Sequence, residues 1–399
     1  MDDPAPQLVP AADRSSSFRR LTILYHHRTR SRDGQSIHID ELIRALRACG
    51  HTVIVVEPKR VPATKESLNK QLLPRPVYEV LEFCYSFLEF AKLASAARRH
   101  HPDALYQRAN ILMLSGVWLA RGFKLPYLLE VNAPLTRERG KFGGLSLPWL
   151  ARWTEHSCWR AADRVLPVTG VLAREIEQAG VPRSRIVVTP NGVDLARLKP
   201  ISMDEAKRRL GLGDNLVLGF VGFVRDWHGL EHIVDLLKSE PALATARFLV
   251  VGDGPACAGL RARAEDLGVA DRLIITGVFA HERLADYLSA IDITLQPEVT
   301  PYASPLKLFE YMAMGRAIVA PDTENIREIL EDNVDSLIFP AGNIGDLAAA
   351  IRRLALDGAL RARLGAGAAA KIVSRGLTWQ RNAERVAGLI EELRPAKAG

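Results

Sequence analysis

The sequence has 399 residues, of which 48% are hydrophobic and 25% charged, a balance that suits a folded globular chain and excludes a largely disordered one. At about 100–200 residues per domain, this length implies two domains. The formal charge of +7 is uneven: residues 1–195 hold 28 Lys and Arg against 19 Asp and Glu, residues 196–399 hold 25 against 27.

A basic first half suits an anionic membrane surface, an acidic substrate or nucleic acid, and an Arg-rich solvated surface explains it equally well. Aromatic and basic residues do not alternate as in an RNA-binding platform, so no nucleic-acid partner is expected. No run of about 18 uncharged apolar residues is present, which argues against a spanning helix. The opening MDDPAPQLVPAADRSSSFRR has acids and prolines where a signal peptide has its apolar core. Residues 1–19 therefore read as a disordered leader, and the chain as cytoplasmic. Cys49, Cys84, Cys158 and Cys257 are scattered, which suits buried small hydrophobes better than a zinc site or a disulfide framework.

Short apolar runs alternate with amphipathic stretches. LTILYHH (21–27) reads as a strand, and IHIDELIRALRACG as a helix with Ile39, Leu42, Ile43 and Leu46 on one face and Gly50 at its end. HTVIVVEP (51–58) completes a βαβ unit and so a parallel sheet. The segment VYEVLEFCYSFLEFAKLASAARR (77–99) reads as a helix. Its aromatics and Arg98 and Arg99 suit peripheral contact with an anionic membrane at the inner face. Three glutamates interrupt it, which favours an ordinary surface helix facing the core. DALYQR (103–108), PYLLEVN (126–132), DRVLPVT (163–169) and RIVVTPN (185–191) continue as strands.

A second series follows. NLVLGFVG (215–222), ARFLVVGDG (246–254), DRLIITG, DITLQP and RAIVAP read as strands with helices between them. The turn-rich stretch Gly192, Asp194 and Pro200 marks a linker. The expected fold is α/β, with two doubly wound Rossmann-like domains over 20–195 and 196–376. The helical segment 377–399 is expected to cross back to the first domain.

Two segments carry the chemistry. In PYASPLKLFEYMAMGRAIVAP (301–321), Pro301, Ser304 and Pro305 close a strand and open a helix whose free N–H groups suit phosphate oxygens. Lys307 in the first turn opposes the helix dipole, which makes sense beside an anionic ligand; Glu310 lies one turn on. A surface ion pair between the two is the plainer alternative. In GFVGFVRDWHGLEHIV (219–234), a strand ends at Gly222 and a polar loop presents Arg225, Asp226 and His228. Ligands collect at such strand ends in open α/β sheets. A loop closed by an Asp226–Arg225 pair is equally consistent.

Taken together, TPNGVDLARLKP (189–200), FVGFVRDWHGLE (220–231), VVGDGP (250–255), ITGVFAHERLADYLSAIDITLQP (275–297), SPLKLFEYMAMGRAIVA (304–320) and LTWQRNAERVAGLIEEL (377–393) resemble, in order, a retaining family 4 type glycosyltransferase of the GT-B fold. The resemblance implies two parallel-sheet lobes facing a central cleft. The C-terminal lobe would hold a nucleotide-diphosphate sugar as donor, and the basic N-terminal lobe a sugar, lipid-linked, polysaccharide or small-molecule acceptor. It further implies that Glu310 holds ribose hydroxyls, that Ser304, Pro305 and Leu306 meet the diphosphate, and that Val278 lies beside the base. No cofactor or metal is implied, since Arg225 and Lys307 would stabilise the leaving phosphate.

The sequence departs from the family pattern at several positions. The family's first glutamate falls on Tyr302, its Arg and Lys diphosphate clamp on Phe223 and His228, and its active-site histidine on Asn132. Gly34 matches the small residue that lets backbone approach a ligand. His26 and His27 are candidates to meet acceptor hydroxyls, with exposed loop histidines as the plainer reading. Arg108 and Asn110, and then Glu130 and Asn132, follow the third and fourth strands on the same side. Two alternatives remain at this stage: a nucleotide-sugar epimerase on the same fold, which would need no acceptor, and a non-catalytic two-lobed sugar-binding protein.

Overall fold

The computed structural model describes residues 19–29, 34–58 and 73–394. The leader expected over 1–19 therefore lies outside the described residues, Arg19 excepted. The described chain divides into two compact units, broken between Pro190 and Asn191 and between Trp379 and Gln380. Among the described residues no helix is long and apolar enough to cross a membrane.

The first unit is built on five parallel strands: β1 (Thr22–His26), β2 (Thr52–Val56), β3 (Ala104–Arg108), β4 (Tyr127–Val131) and β5 (Arg164–Pro167), ordered β2-β1-β3-β4-β5. Helices on the crossovers cover the sheet, so β3 and β4 are buried along their whole length. Leu24, Leu105, Leu129 and Val165 join one core cluster with Leu93, Leu119 and Trp159 from the covering helices. Strand order reverses between β1 and β3, and ligands gather at such switch points. The register there places Tyr25 beside Tyr106, and between β3 and β4 it places Arg108 beside Glu130.

The second unit carries six parallel strands: β6 (Val217–Val221), β7 (Arg247–Val251), β8 (Leu273–Ile275), β9 (Ile293–Leu295), β10 (Ala317–Asp322) and β11 (Leu337–Pro340), ordered β11-β10-β9-β6-β7-β8. Alternation along β6 feeds two cores. Leu218 and Phe220 pack on one face of the sheet, Val217 and Val221 on the other. The order reverses between β6 and β9, which puts the loops after these two strands side by side at the carboxyl edge.

Two strand readings change. RIVVTPN (185–191) forms no regular strand. It makes a single bridge, Ile186 to Val165, and two further N–H bonds to β5, from Val187 at 2.9 Å and from Thr189 at 2.8 Å, before Pro190 ends the donors. Strand β11 carries no signal that sequence reading had picked out. Cys84 also departs from expectation, since it is exposed while Cys158 and Cys257 are buried; all four cysteines are free.

The C-terminal helix Trp379–Leu393 belongs, from Gln380 onward, to the first unit. Asn382 donates its side-chain amide to the Pro190 carbonyl at 2.8 Å, and Arg394 pairs with Asp103 at 2.9 Å. Gly192 is required where the chain passes Thr378, because an added Cβ would lie 2.5 Å from the Thr378 carbonyl carbon.

The helix Gly358–Ser374 approaches the turn after the helix Leu306–Ala313 just as closely. A Cβ on Gly365 would lie 2.1 Å from the Gly315 carbonyl oxygen. Gly365→Ala is therefore expected to lower the unfolding free energy by about 1–3 kcal/mol, read as a lower urea midpoint at unchanged slope. An unchanged midpoint would show that the backbones separate freely.

Candidate functional site

In the second unit the loops after β6 and β7 are zipped together by backbone. Gly222 donates to Val251 at 3.0 Å and Val224 to Asp253 at 2.9 Å. The fit admits no side chain at two glycines: a Cβ on Gly252 would lie 2.0 Å from the Gly222 oxygen, and one on Gly254 would lie 2.0 Å from the Val224 oxygen. Gly222 itself has φ +130, a conformation that favours glycine, and its open side faces Lys307, whose Nζ would lie 3.6 Å from an added Cβ.

Lys307 is the centre of this site. Its ammonium sits over the Phe220 ring, 3.8 Å from the centroid. Protein atoms surround it, although part of the residue remains accessible. Burial pushes its pKa down to about 7, against the opposing pull of Glu310, which is half-buried one turn along the same helix. Pro305 offers no side-chain cap to the helix start; its carbonyl accepts the Leu308 N–H at 3.1 Å, and the N–H groups of Leu306 and Lys307 open the helix ahead of it.

His228 is buried beneath the loop, edge-on to Phe220 at 4.8 Å. Its Nδ1 accepts the Arg225 backbone N–H at 3.1 Å, which leaves the ring proton on Nε2. Burial, with the charges of Lys307 and Arg225, pushes its pKa down to about 2. The imidazole is therefore a neutral donor at physiological pH. The Arg225 side chain is exposed and lies over the Phe223 ring at 4.9 Å.

The segment leading into the helix is held by two asparagines that sequence reading did not single out. Asn191 donates its backbone N–H to Ser304 Oγ at 3.3 Å and its side-chain amide to the Ser304 carbonyl at 2.5 Å. Asn325 donates to the Ala303 and Thr300 carbonyls at 2.7 and 3.1 Å. The PNGVD motif contains the first, without showing what it grips; the second carried no local signal. Structure thus brings together Gly222, Arg225, His228, Ser304, Pro305, Leu306, Lys307 and Glu310. Tyr302 is buried, and Val278 stands exposed beyond the end of β8.

In the first unit the carboxyl ends of β3 and β4 carry a second cluster. Glu130 is buried and accepts from the Tyr106 hydroxyl at 2.7 Å, Arg108 Nη1 at 2.6 Å and Asn132 Nδ2 at 2.5 Å, while His38 Nε2 lies 3.0 Å from it as an ion pair. Burial alone would raise its pKa, but the charges of His38 and Arg108, with the Tyr106 hydrogen bond, hold it well below the usual carboxylate range. A carboxylate so fully occupied is an anchor that fixes Arg108, Asn132 and His38, not a free base. His38, from the helix Gly34–Ala48 that Gly34 opens, was not among the sequence candidates. Its sidedness was set by a helix whose approach to β4 only the fold decides. Asn110 turns back, donating to the Arg108 carbonyl at 2.9 Å.

The two loop histidines separate. His27 is buried near this cluster, 3.6 Å from Glu57 and 6.1 Å from the Tyr25 ring. His26 belongs to β1 and points to the opposite face, fully buried against Glu89 at 3.3 Å. The expectation that His26 meets a ligand from an exposed loop is corrected, because strand alternation directs it into the core. Among the described residues no group of three His, Cys, Asp or Glu is placed to hold a metal ion.

Residues 215–357 match the family model described as Glycosyl transferases group 1, and residues 32–197 match Glycosyltransferase Family 4. A D-inositol 3-phosphate glycosyltransferase of Actinosynnema mirum is 30% identical over 312 residues, 74% of this chain and 74% of the relative. One from Acidothermus cellulolyticus is 31% identical, over 58% of this chain and 54% of the relative, so the match spans about half of that protein. Among solved structures, Anabaena HepE in complex with UDP superposes with a TM-score of 0.73 at 18% identity, covering 93% of this chain and 100% of that one.

The Glu130 cluster makes a stability prediction. Glu130→Gln leaves Arg108 buried without its counter-charge and is expected to cost about 3–5 kcal/mol. A carboxyl whose folded pKa is depressed stabilises the fold above its unfolded pKa, and that contribution fades as pH falls towards the folded one. The gap between native and variant chains in urea titrations should therefore be constant near neutrality and shrink below about pH 4.5. A gap independent of pH would remove Glu130 as the charge anchor.

Proposed function

The chain belongs to glycosyltransferase family 4, and from that premise we propose that it moves a hexose from a nucleoside-diphosphate sugar to a sugar, lipid-linked or small-molecule acceptor, with retention of anomeric configuration and without a metal ion. The observation that carries this reading is the desolvated Lys307 ammonium at the start of an uncapped helix, with Glu310 one turn further on. HepE of Anabaena, which shares the fold, is a complex with UDP-glucose in a further structure.

In this reading the second unit binds the donor. The helix start and Lys307 take the diphosphate, the Glu310 carboxylate accepts hydrogen bonds from ribose hydroxyls, and His228 Nε2–H is a neutral donor beside them. Breaking the bond from the anomeric carbon to the diphosphate leaves negative charge on the phosphate oxygens. Lys307 and Arg225 counter that charge, the task a divalent cation performs in other transferases. The acceptor hydroxyl attacks from the face the diphosphate leaves, and a departing phosphate oxygen takes its proton. The first unit supplies the acceptor side, with Arg108 and Asn132 held in place by Glu130.

Lys307 also predicts a proton signature. In the free protein its pKa of about 7 leaves it mostly neutral at mildly alkaline pH. A bound diphosphate favours the ammonium, so binding takes up a proton and weakens as pH rises. Calorimetry with UDP at about pH 8, in buffers of different ionisation enthalpy, should show uptake approaching one proton in the native chain and none in Lys307→Ala. The same variant should lower turnover at least about tenfold, with activity unaffected by EDTA. A thermal-shift panel of UDP-, GDP-, ADP- and TDP-sugars identifies the donor, since saturation at about 100-fold over Kd adds about 2.7 kcal/mol of apparent stability. Native-like turnover in Lys307→Ala with the donor so identified would reject this role for the ammonium.

A further inference from the structure

The helix Arg75–His100 is turned inside out relative to an ordinary surface helix. Its three glutamates face the protein. Glu79, 1% exposed, accepts the backbone N–H groups of Ser146 and Leu147 at 2.8 and 2.7 Å. Glu82 pairs with Arg139 at 2.7 Å. Glu89, fully buried, holds His26 at 3.3 Å and Lys92 at 2.6 Å. The residues that argue against a membrane face in the sequence are thus the ones that bind the helix to its own unit.

The outward face carries Val77, Val80, Leu81, Cys84, Phe87 and Leu88, all exposed, at helical spacing and with no charge among them. Phe87 is 58% and Leu88 60% exposed. The helix Pro148–Ala161 widens the surface with two tryptophans one turn apart, Trp149 at 67% and Trp153 at 49% exposure, the latter 6.1 Å from Phe83. Such apolar area is seldom left to water without a use.

Charge decides the occupant. Within residues 73–100 no exposed side chain is a carboxylate, and the exposed basic ones are Arg75 at one end of the stripe and, at the other, Lys92, itself paired with Glu89, with Arg98, Arg99 and His100. Two copies pairing through this face in either direction would set cations against cations. An anionic lipid surface supplies the missing charge, and it suits tryptophan at the boundary between headgroups and chains. We propose that this face docks the first unit on an anionic bilayer, the apolar stripe entering the headgroup boundary and the flanking cations meeting lipid phosphates. The inference stands apart from the donor reading, because it uses none of the residues assigned to nucleotide or acceptor.

Flotation of the full chain with phosphatidylglycerol–phosphatidylcholine vesicles and with pure phosphatidylcholine vesicles tests it. Binding to the anionic vesicles, weakened by salt, is expected. Leu81→Glu with Leu88→Glu should lower it at least about tenfold. Arg98→Glu with Arg99→Glu should lower it about fivefold per residue. Unchanged circular dichroism and melting would show that these exposed substitutions leave the fold intact. Failure of the native chain to bind anionic vesicles, or binding indifferent to the Leu81 and Leu88 pair, would overturn the proposal. A dimer that the same pair dissociates, without vesicle binding, would assign the face to a second copy instead. The assay contains no nucleotide, so a failed UDP experiment leaves its outcome untouched.

Discussion

Lys307 keeps its ammonium over the face of Phe220, 3.8 Å from the ring centre, in surroundings that pull its pKa down to about 7. An aromatic face replaces only part of the hydration that burial removes. Much of the second unit's site follows from this. Gly222, whose φ of +130 favours glycine, turns its open side to the lysine. The neighbouring imidazole of His228 stays neutral because a second cation there would add repulsion to desolvation. Asn191 and Asn325 grip the segment before the helix from both sides, so the helix start does not move to relieve the lysine. An ammonium held short of hydration gains more from an arriving phosphate than a solvated one would, because its own solvation is already lost.

The first unit solves the opposite problem. Its buried charge is a carboxylate, and three hydrogen-bond donors and the His38 imidazole surround it. The parallel register of β3 and β4 sets Arg108 beside Glu130, and the helix Gly34–Ala48 brings His38 to the same oxygen. A buried ion pair of this kind adds little net stability, but it fixes geometry, since any displaced member leaves an unpaired charge. The cluster therefore favours rigid presentation of Arg108 and Asn132. Beneath it the Tyr25 and Tyr106 rings stack at 5.0 Å, continuing the same order into the sheet.

The helix Arg75–His100 extends this economy of charge to the surface. Its acids serve the interior: Glu79 closes the backbone of the loop before the helix Pro148–Ala161, Glu82 ties Arg139, and Glu89 neutralises Lys92 beside His26. With the acids inward, the opposite face is left apolar with cations at its ends. Composition and periodicity give the same count of residues for an ordinary amphipathic helix and for this one, because they do not reveal which side meets the core.

Sequence alone determined the alternation of strands and helices, the two parallel-sheet units, and the position of Lys307 and Glu310 at a helix start. These are local properties, written in apolar periodicity and in the residues that open and close helices. It did not determine the sidedness of His26, the anchoring roles of Asn191, Asn325 and His38, or the short strand β11. Each depends on contacts between segments far apart in the chain. RIVVTPN had the composition of a strand but formed one bridge and two further N–H bonds to β5, because Pro190 has no N–H to continue the ladder. Whether a polar side chain is a ligand contact, a core anchor or a surface group depends on what packs against it, and only the tertiary structure decides that.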